Sequence, residues 1–319
     1  MKLLIILSLV SIVLPFILVD KPQLSGKPLE DYVHSVQSSF KIAPITDKKM
    51  KRSMDMKYAS FGDAEIRTTI ADSIPDSFDA RTQWPNCPTI GQVHNQGGCL
   101  SGWAISAVNV MSDRICIQSN GALKPNISTD NVLSCCSSSC GEACDGGHPI
   151  QAFRYWMSKG IVTGGDYHGG GCRPYQFKPC EDPEYLCEKE HQPWCFTSCQ
   201  DGYTVAYATD KHFGASAYAI LTVAAIQTEI MTNGPVEATL QTYEDFDAYH
   251  SGIYKHTAGT FQGTQAVRLV GWGTENGVAY WIGVNSWGTK WGESGTFRIR
   301  LGHDECSIES GVVAGMPKL

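Results

Sequence analysis

Twelve of the 13 cysteines in this 319-residue chain fall between Cys87 and Cys199, and the thirteenth, Cys306, stands alone. Such density restricts the fold more than any other feature. It calls for a covalently stapled body made in an oxidising compartment. A zinc site at Cys135, Cys136 and Cys140 ("CCSSSC") is a poor alternative, because paired C-x-x-C sets and a histidine at ligand spacing are both missing. No metal and no cofactor are expected, and an odd count leaves one free thiol. The compartment agrees with the opening "MKLLIILSLVSIVLPFILVD", one lysine before a long apolar run, which reads as a signal peptide over residues 1–20. A signal anchor is the alternative, since the run approaches the length of a membrane span. The secretory pathway is therefore expected, ending in a lysosome or outside the cell, with no membrane association once the signal is removed. In that setting Asn126-Ile127-Ser128 is a glycosylation sequon. The net charge of −7 argues against a nucleic-acid partner, which needs a basic face.

Residues 21–73 hold no cysteine and include a basic cluster, "TDKKMKRSMDMK". They are expected to form a pro-segment ahead of a body over residues 74–319. One amphipathic helix is expected in it, with Leu29, Val33, Val36 and Phe40 recurring at helical spacing. The body opens with helical signals. Residues from Gly102 to about Ile117 are apolar almost all round, which predicts a buried helix. Pro149 and Gly160 bracket a second helix, with Ile150, Phe153 and Met157 facing inward. "VAAIQTEIMTNGP" predicts a third, stopped by Asn233-Gly234-Pro235. Gly169 to Gly202 reads as a disulfide-pinned loop. Beyond it, "QAVRLVGWG", "VAYWIGVNSW" and "GTFRIRLG" are aromatic and β-branched runs separated by glycine, and so strands. Helices followed by strands predict an α+β protein of two lobes with a cleft between them.

The segment Cys99-Leu100-Ser101-Gly102-Trp103 lies where one enzyme class carries C-G-[SA]-C-[WY]. Around it stand "SFDARTQWP", "NQGGC", "CDGGHP", "GCRPY", "NGPVEATL", "VGWGTENGVAYWIGVNSWGTKWGESGTFRI" and "CSIESGVVAGMP". From about Ile74 to Pro317 the chain resembles the papain-like cysteine peptidases, and among them the cathepsin B-like subgroup. The resemblance implies a helical left lobe packed on a β-barrel-like right lobe, and an occluding-loop-like insert over residues 172–199. It implies the disulfides Cys87–Cys116, Cys99–Cys144, Cys135–Cys195, Cys136–Cys140, Cys172–Cys199 and Cys180–Cys187, with Cys306 free.

In that family a thiol at the start of the buried helix is ionised by the helix dipole and an imidazolium. The histidine protonates the leaving amine, an asparagine orients its ring, and a glutamine stabilises the oxyanion. Carried over by position, Gln96 is the oxyanion glutamine, Asn285 the orienting asparagine and Trp287 the indole over it. The nucleophile position is Gly102 and the histidine position is Gln265. Gln265 lies further downstream than the usual spacing of about 130–150 residues, a difference the insert accounts for. Gly146 and Gly147 fall in the segment that pairs with substrate backbone, His148 follows them as a pocket wall, and Gly311 falls at the base of the second pocket. Asp182 and Pro183 replace the insert's paired histidines, an acidic substitution that would repel a substrate's terminal carboxylate. Leu100 adds apolar bulk at the cleft wall.

These substitutions predict a chain that is not an enzyme. Neighbouring groups offer poor substitutes: Ser101 is turned by about 100° along the helix, Gln265 cannot take up a proton at neutral pH, and His256 reads as a surface histidine. Losing nucleophile or base from such a site costs about 10⁶-fold in kcat. The expectation is an inactive, monomeric homologue that holds extended peptides or cystatin-like protein inhibitors in its cleft. Two alternatives are a cysteine-type endopeptidase with an unrecognised nucleophile, and a structural secreted protein whose cleft binds nothing.

Overall fold

The computed structural model describes residues 21–45, 51–180 and 187–319. The signal expected over residues 1–20, part of the basic cluster, and Asp182 and Pro183 lie outside these.

Two packed bodies follow from the change in pattern along the chain. The first is built around the central helix, Gly102–Gln118, buried at every position from Gly102 to Ile117. Helix Thr129–Cys135, capped by the Ser128 hydroxyl accepting from Asn131 N, and helix Pro149–Lys159 pack beside it. Trp103, Ile105, Met111, Phe153 and Trp156 lie in this core. The second body is a sheet. Its order runs Phe40–Ile42, Tyr249–Tyr254, Thr296–Arg300, Val278–Val284, Phe261–Glu275, Val236–Tyr243, Val312–Ala314, Tyr218–Ile220, Glu65–Arg67. The pairings are antiparallel except Thr296–Arg300 with Tyr249–Tyr254 and Glu65–Arg67 with Tyr218–Ile220. Trp272, Trp281, Phe246 and Phe297 fill its core. This is the α+β, two-lobe arrangement that the resemblance implies.

The segment 21–73 is more structured than its polarity suggests. Its strands Phe40–Ile42 and Glu65–Arg67 occupy the two ends of the sheet order, so both sheet edges of the body are covered by it. Its helix, Gly26–Val36, buries Leu29 and Val33 against the sheet core. Val36, expected on the same face, is half exposed, and Phe40 lies outside the helix. Gln37 turns extended at the helix end, so the period of 3.6 residues stops before Phe40, which is buried from a strand instead.

Helix Pro149–Lys159 departs from expectation at one position. Met157 is exposed, and Trp156 is buried in its place. The reason is tertiary: Gly214 comes so close that a Cβ there would lie 2.6 Å from the Trp156 ring. The large indole therefore takes the inner position and turns Met157 outward.

Six disulfides join Cys87–Cys116, Cys99–Cys144, Cys135–Cys195, Cys136–Cys140, Cys172–Cys199 and Cys180–Cys187, the pairs the resemblance implies, with Cys306 left as a thiol. Cys99–Cys144 holds the loop before the central helix against the loop that carries Gly146 and Gly147.

Candidate functional site

The start of the central helix faces the long strand Phe261–Glu275, and the two bring Gly102 against Gln265. A Cβ on Gly102 would lie 2.6 Å from Gln265 Nε2, 2.8 Å from Oε1 and 2.9 Å from Cδ. The Gln265 amide thus fills the space a side chain at position 102 would need. Gln265 itself is buried, on the strand paired with Leu240.

Its Nε2 approaches Gln96 Oε1 at 3.1 Å, Asn285 Oδ1 at 3.0 Å and Ser286 Oγ at 2.9 Å. Ser286 Oγ also donates to Gln96 Oε1 at 2.8 Å, and Ser286 N donates to Asn285 Oδ1. Gln96, Gln265 and Asn285 therefore form one buried cluster closed by a serine. No residue in it titrates near neutral pH. Ser286 was not singled out from sequence, although it adjoins Asn285 and Trp287 in "NSW". Asn285 Nδ2 and Trp287 Nε1 are buried without a hydrogen-bond partner among the described residues.

Across the mouth of this cluster runs the chain from Arg52 to Tyr58. Gln96 Nε2 donates to Arg52 O at 3.0 Å. Met54 and Thr264 exchange both backbone hydrogen bonds at 2.8 Å. The Ser53 and Thr242 hydroxyls meet at 2.7 Å. The Arg52 guanidinium lies 5.7 Å from the centre of the Trp287 ring.

On the far wall, Gly146 has φ 129°, and a Cβ there would lie 2.5 Å from the Tyr58 ring and 2.9 Å from Met54 Cβ. Glycine is needed both for this backbone and for the approach of the neighbouring chain. Gly147 lies as close to the Trp103 ring. His148 stands at the N-terminal boundary of helix Pro149–Lys159 and meets the Tyr58 ring edge-on at 5.1 Å. Gly311 lines a hollow with Met56, Ala59, Thr239 and Ser310.

The roots of the insert lean on the loop before the central helix. The Asn95 side chain exchanges two 3.0 Å hydrogen bonds with the Cys180 backbone. A Cβ on Gly98 would lie 1.8 Å from Glu188 O. Leu100 is buried, its N–H donating to Cys144 O.

Ser101, His256 and Cys306 stand outside this hydrogen-bonded cluster. Ser101 is fully buried and shares a 2.6 Å hydrogen bond with Tyr175 OH, whose phenol burial pushes up so that it stays protonated. His256 is not on the surface as expected. It is buried, stacked on Tyr243 at 3.6 Å, with Nδ1 3.1 Å from Asp245 Oδ1. Its place at a likely loop end suggested exposure, but the Tyr243 ring and the Asp245 carboxylate pack against it. Cys306 packs against the sheet core, where burial, and after it the Glu305 and Asp245 carboxylates, push its thiol well up. Among the described residues no group of three or more His, Cys, Asp or Glu side chains could hold a metal ion, and no helix is long and apolar enough to cross a membrane.

Comparison with known proteins matches residues 74–316 to the model described as "Papain family cysteine protease". The chain is 51% identical over its whole length, and that of its relative, to "Gut-specific cysteine proteinase" of Caenorhabditis elegans. It is 48% identical to "Cathepsin B-like cysteine proteinase 3" of the same organism, covering 92% of this chain and 83% of the relative. Among solved structures it resembles "proCathepsin B S9 from Trypanosoma congolense", with TM-score 0.78 and 34% identity over 92% of this chain and 98% of that one. These relatives overturn the expectation that the chain is not an enzyme: the matched family is one of proteases, and both relatives are named cysteine proteinases. That expectation weighed two side chains, Gly102 and Gln265, while the whole fold and half of all residues follow the enzymes.

Proposed function

Because this chain belongs to the papain family of cysteine proteases, as a cathepsin B-like homologue, we propose that its cleft holds polypeptide chains in extended form, at Gln96, Thr264 and Gly146. One observation carries the reading: Arg52 to Tyr58 already lie there, with a backbone carbonyl on Gln96 Nε2, a two-way backbone pairing with Thr264, and side chains against Gly146. A foreign peptide would take the same backbone contacts, which need no particular side chain.

Residues 21–73 then act as a pro-segment that occupies the cleft until it is removed. Three features support this: the family match begins at residue 74, the segment edges the sheet on both sides, and the likeness to a procathepsin covers 92% of the chain. Six disulfides and an exposed Asn126 suit a glycosylated protein of the secretory pathway, lysosomal or extracellular. A cystatin-like inhibitor that presents an extended segment would use the same contacts.

The test clips the full chain between residues 59 and 73 with an added acid protease, removes that protease, and titrates a fluorescent peptide with the sequence of residues 51–61. Micromolar or tighter binding that appears only after clipping is expected. Clipped protein that does not bind refutes a peptide-holding cleft and leaves a structural role for the scaffold.

A second reading, proteolysis by the chain itself, is favoured by the names of its relatives. It requires a nucleophile other than residue 102, which offers only hydrogen. Turnover of cathepsin substrates in the same assay, proportional to this protein through successive purifications, decides for it.

A further inference from the structure

We propose that Gln265 is a positioning residue for peptide binding: it fixes which end of the Gln96 amide faces the bound chain, and so makes the cleft a receptor for a backbone carbonyl. The inference rests on the reading that the cleft holds extended polypeptide.

An amide has one donor end and one acceptor end, and Gln96 could present either to a passing strand. Its orientation is set from behind. Gln96 Oε1 receives Ser286 Oγ–H at 2.8 Å and faces Gln265 Nε2 at 3.1 Å. With two donors on its oxygen, its nitrogen must point outward, where it meets Arg52 O at 3.0 Å. Gln265 Nε2 carries two hydrogens for three acceptors, so its amide is held by Asn285 Oδ1 or Ser286 Oγ while it serves Gln96. A residue that could only accept would reverse the chain of bonds. Gln96 would turn its NH₂ inward and set its oxygen against the peptide carbonyl. Because every member is a neutral amide or hydroxyl, the orientation does not change with pH across the range between lysosome and cell exterior.

Gln265→Glu separates these ideas, because one side chain supplies both states. The protonated carboxyl still donates to Gln96 Oε1; the carboxylate only accepts. The readout is the hydrogen-exchange protection of the Met54 amide, which bonds Thr264 O at 2.8 Å, in the intact full chain from about pH 4 to 8. The wild type is expected to show a protection factor independent of pH. Gln265→Glu should match it in acid and fall by about tenfold or more as the carboxyl ionises, since a hydrogen bond then gives way to two oxygens facing each other. Ser286→Ala, which removes the other donor to Gln96, should lower protection several-fold at all pH values. Amides of strand Val278–Val284 monitor the fold.

Wild-type-like protection in Gln265→Glu at every pH overturns the proposal. So does a loss that acid does not restore, because that marks a structural role only. A Met54 amide unprotected in the wild type would instead refute the occupancy of the cleft, and the role of Gln265 with it.

Discussion

The contact between Gly102 and Gln265 makes a quantitative prediction. In Gly102→Ala the new Cβ would sit 2.6 Å from Nε2 and 2.9 Å from Cδ of Gln265, so the amide must move. Moving it removes the two hydrogen bonds its N–H groups can make, each worth about 1 kcal/mol net. The displaced amide is buried, and it loses further stability unless it finds new partners. Replacing glycine by alanine at a helix start returns at most about 0.5–1 kcal/mol. The net expectation is a chain about 2 kcal/mol less stable, although an alanine is usually the better helix residue. Gln265→Ala removes the same bonds and should lose a similar amount. In the double variant the Cβ enters the vacated space, so its loss should equal that of Gln265→Ala alone. The double-mutant cycle should therefore give a coupling of about 2 kcal/mol, well above the ~0.5 kcal/mol of independent sites. Urea unfolding of the disulfide-intact chain measures all four corners. Gly102→Ala as stable as wild type, or additive losses, would refute the account of the contact. The same clash means that Gly102→Cys alone cannot seat a thiol without moving Gln265. Gly102→Cys with Gln265→His should then show far more thiol reactivity and turnover than either change alone, each measured against the wild type.

Other expectations can be checked separately. Glu237 is wholly buried with neither carboxylate oxygen partnered among the described residues, and burial raises its pKa well above 4.5. Its folded form binds the proton more tightly than the unfolded chain, so its contribution is complete below pH 4.5 and is lost as pH rises from there towards the folded pKa. Glu237→Gln should flatten the fall in unfolding free energy between pH 4.5 and 7, by up to about 1.4 kcal/mol per pH unit; an unchanged slope would contradict this. Arg114 is buried with Glu229 Oε1 at 2.8 Å, and Glu229→Ala should destabilise by about 3–5 kcal/mol by stranding the guanidinium. A loss below about 1 kcal/mol would show that Tyr218 and the backbone carbonyls satisfy it. Cys306 should be the one thiol titrated by a disulfide reagent, quickly after denaturation and slowly before it. Rapid labelling of native protein would contradict a thiol half-buried against the sheet core.

Much of this molecule could be read before it was folded. The buried helix from Gly102 follows from an unbroken apolar run, which can satisfy its surroundings only inside a core. The strands follow from aromatic and β-branched runs, although Phe261–Glu275 continues through the glycines expected to separate such runs, and the helix ends follow from Pro149, Gly160 and Gly234. These are local properties, set by backbone sterics and by which side chains water expels. The identities at positions 102 and 265 are also plain in the sequence. What the sequence could not hold is what those residues do to each other. That Gln265 fills the volume left by Gly102, that Ser286 closes its hydrogen bonds, that Tyr58 presses on Gly146 and that Trp156 displaces Met157 depend on surfaces far apart in the chain. Close packing decides such contacts, because an interior without voids lets one side chain fix the place of another only once both lobes have met.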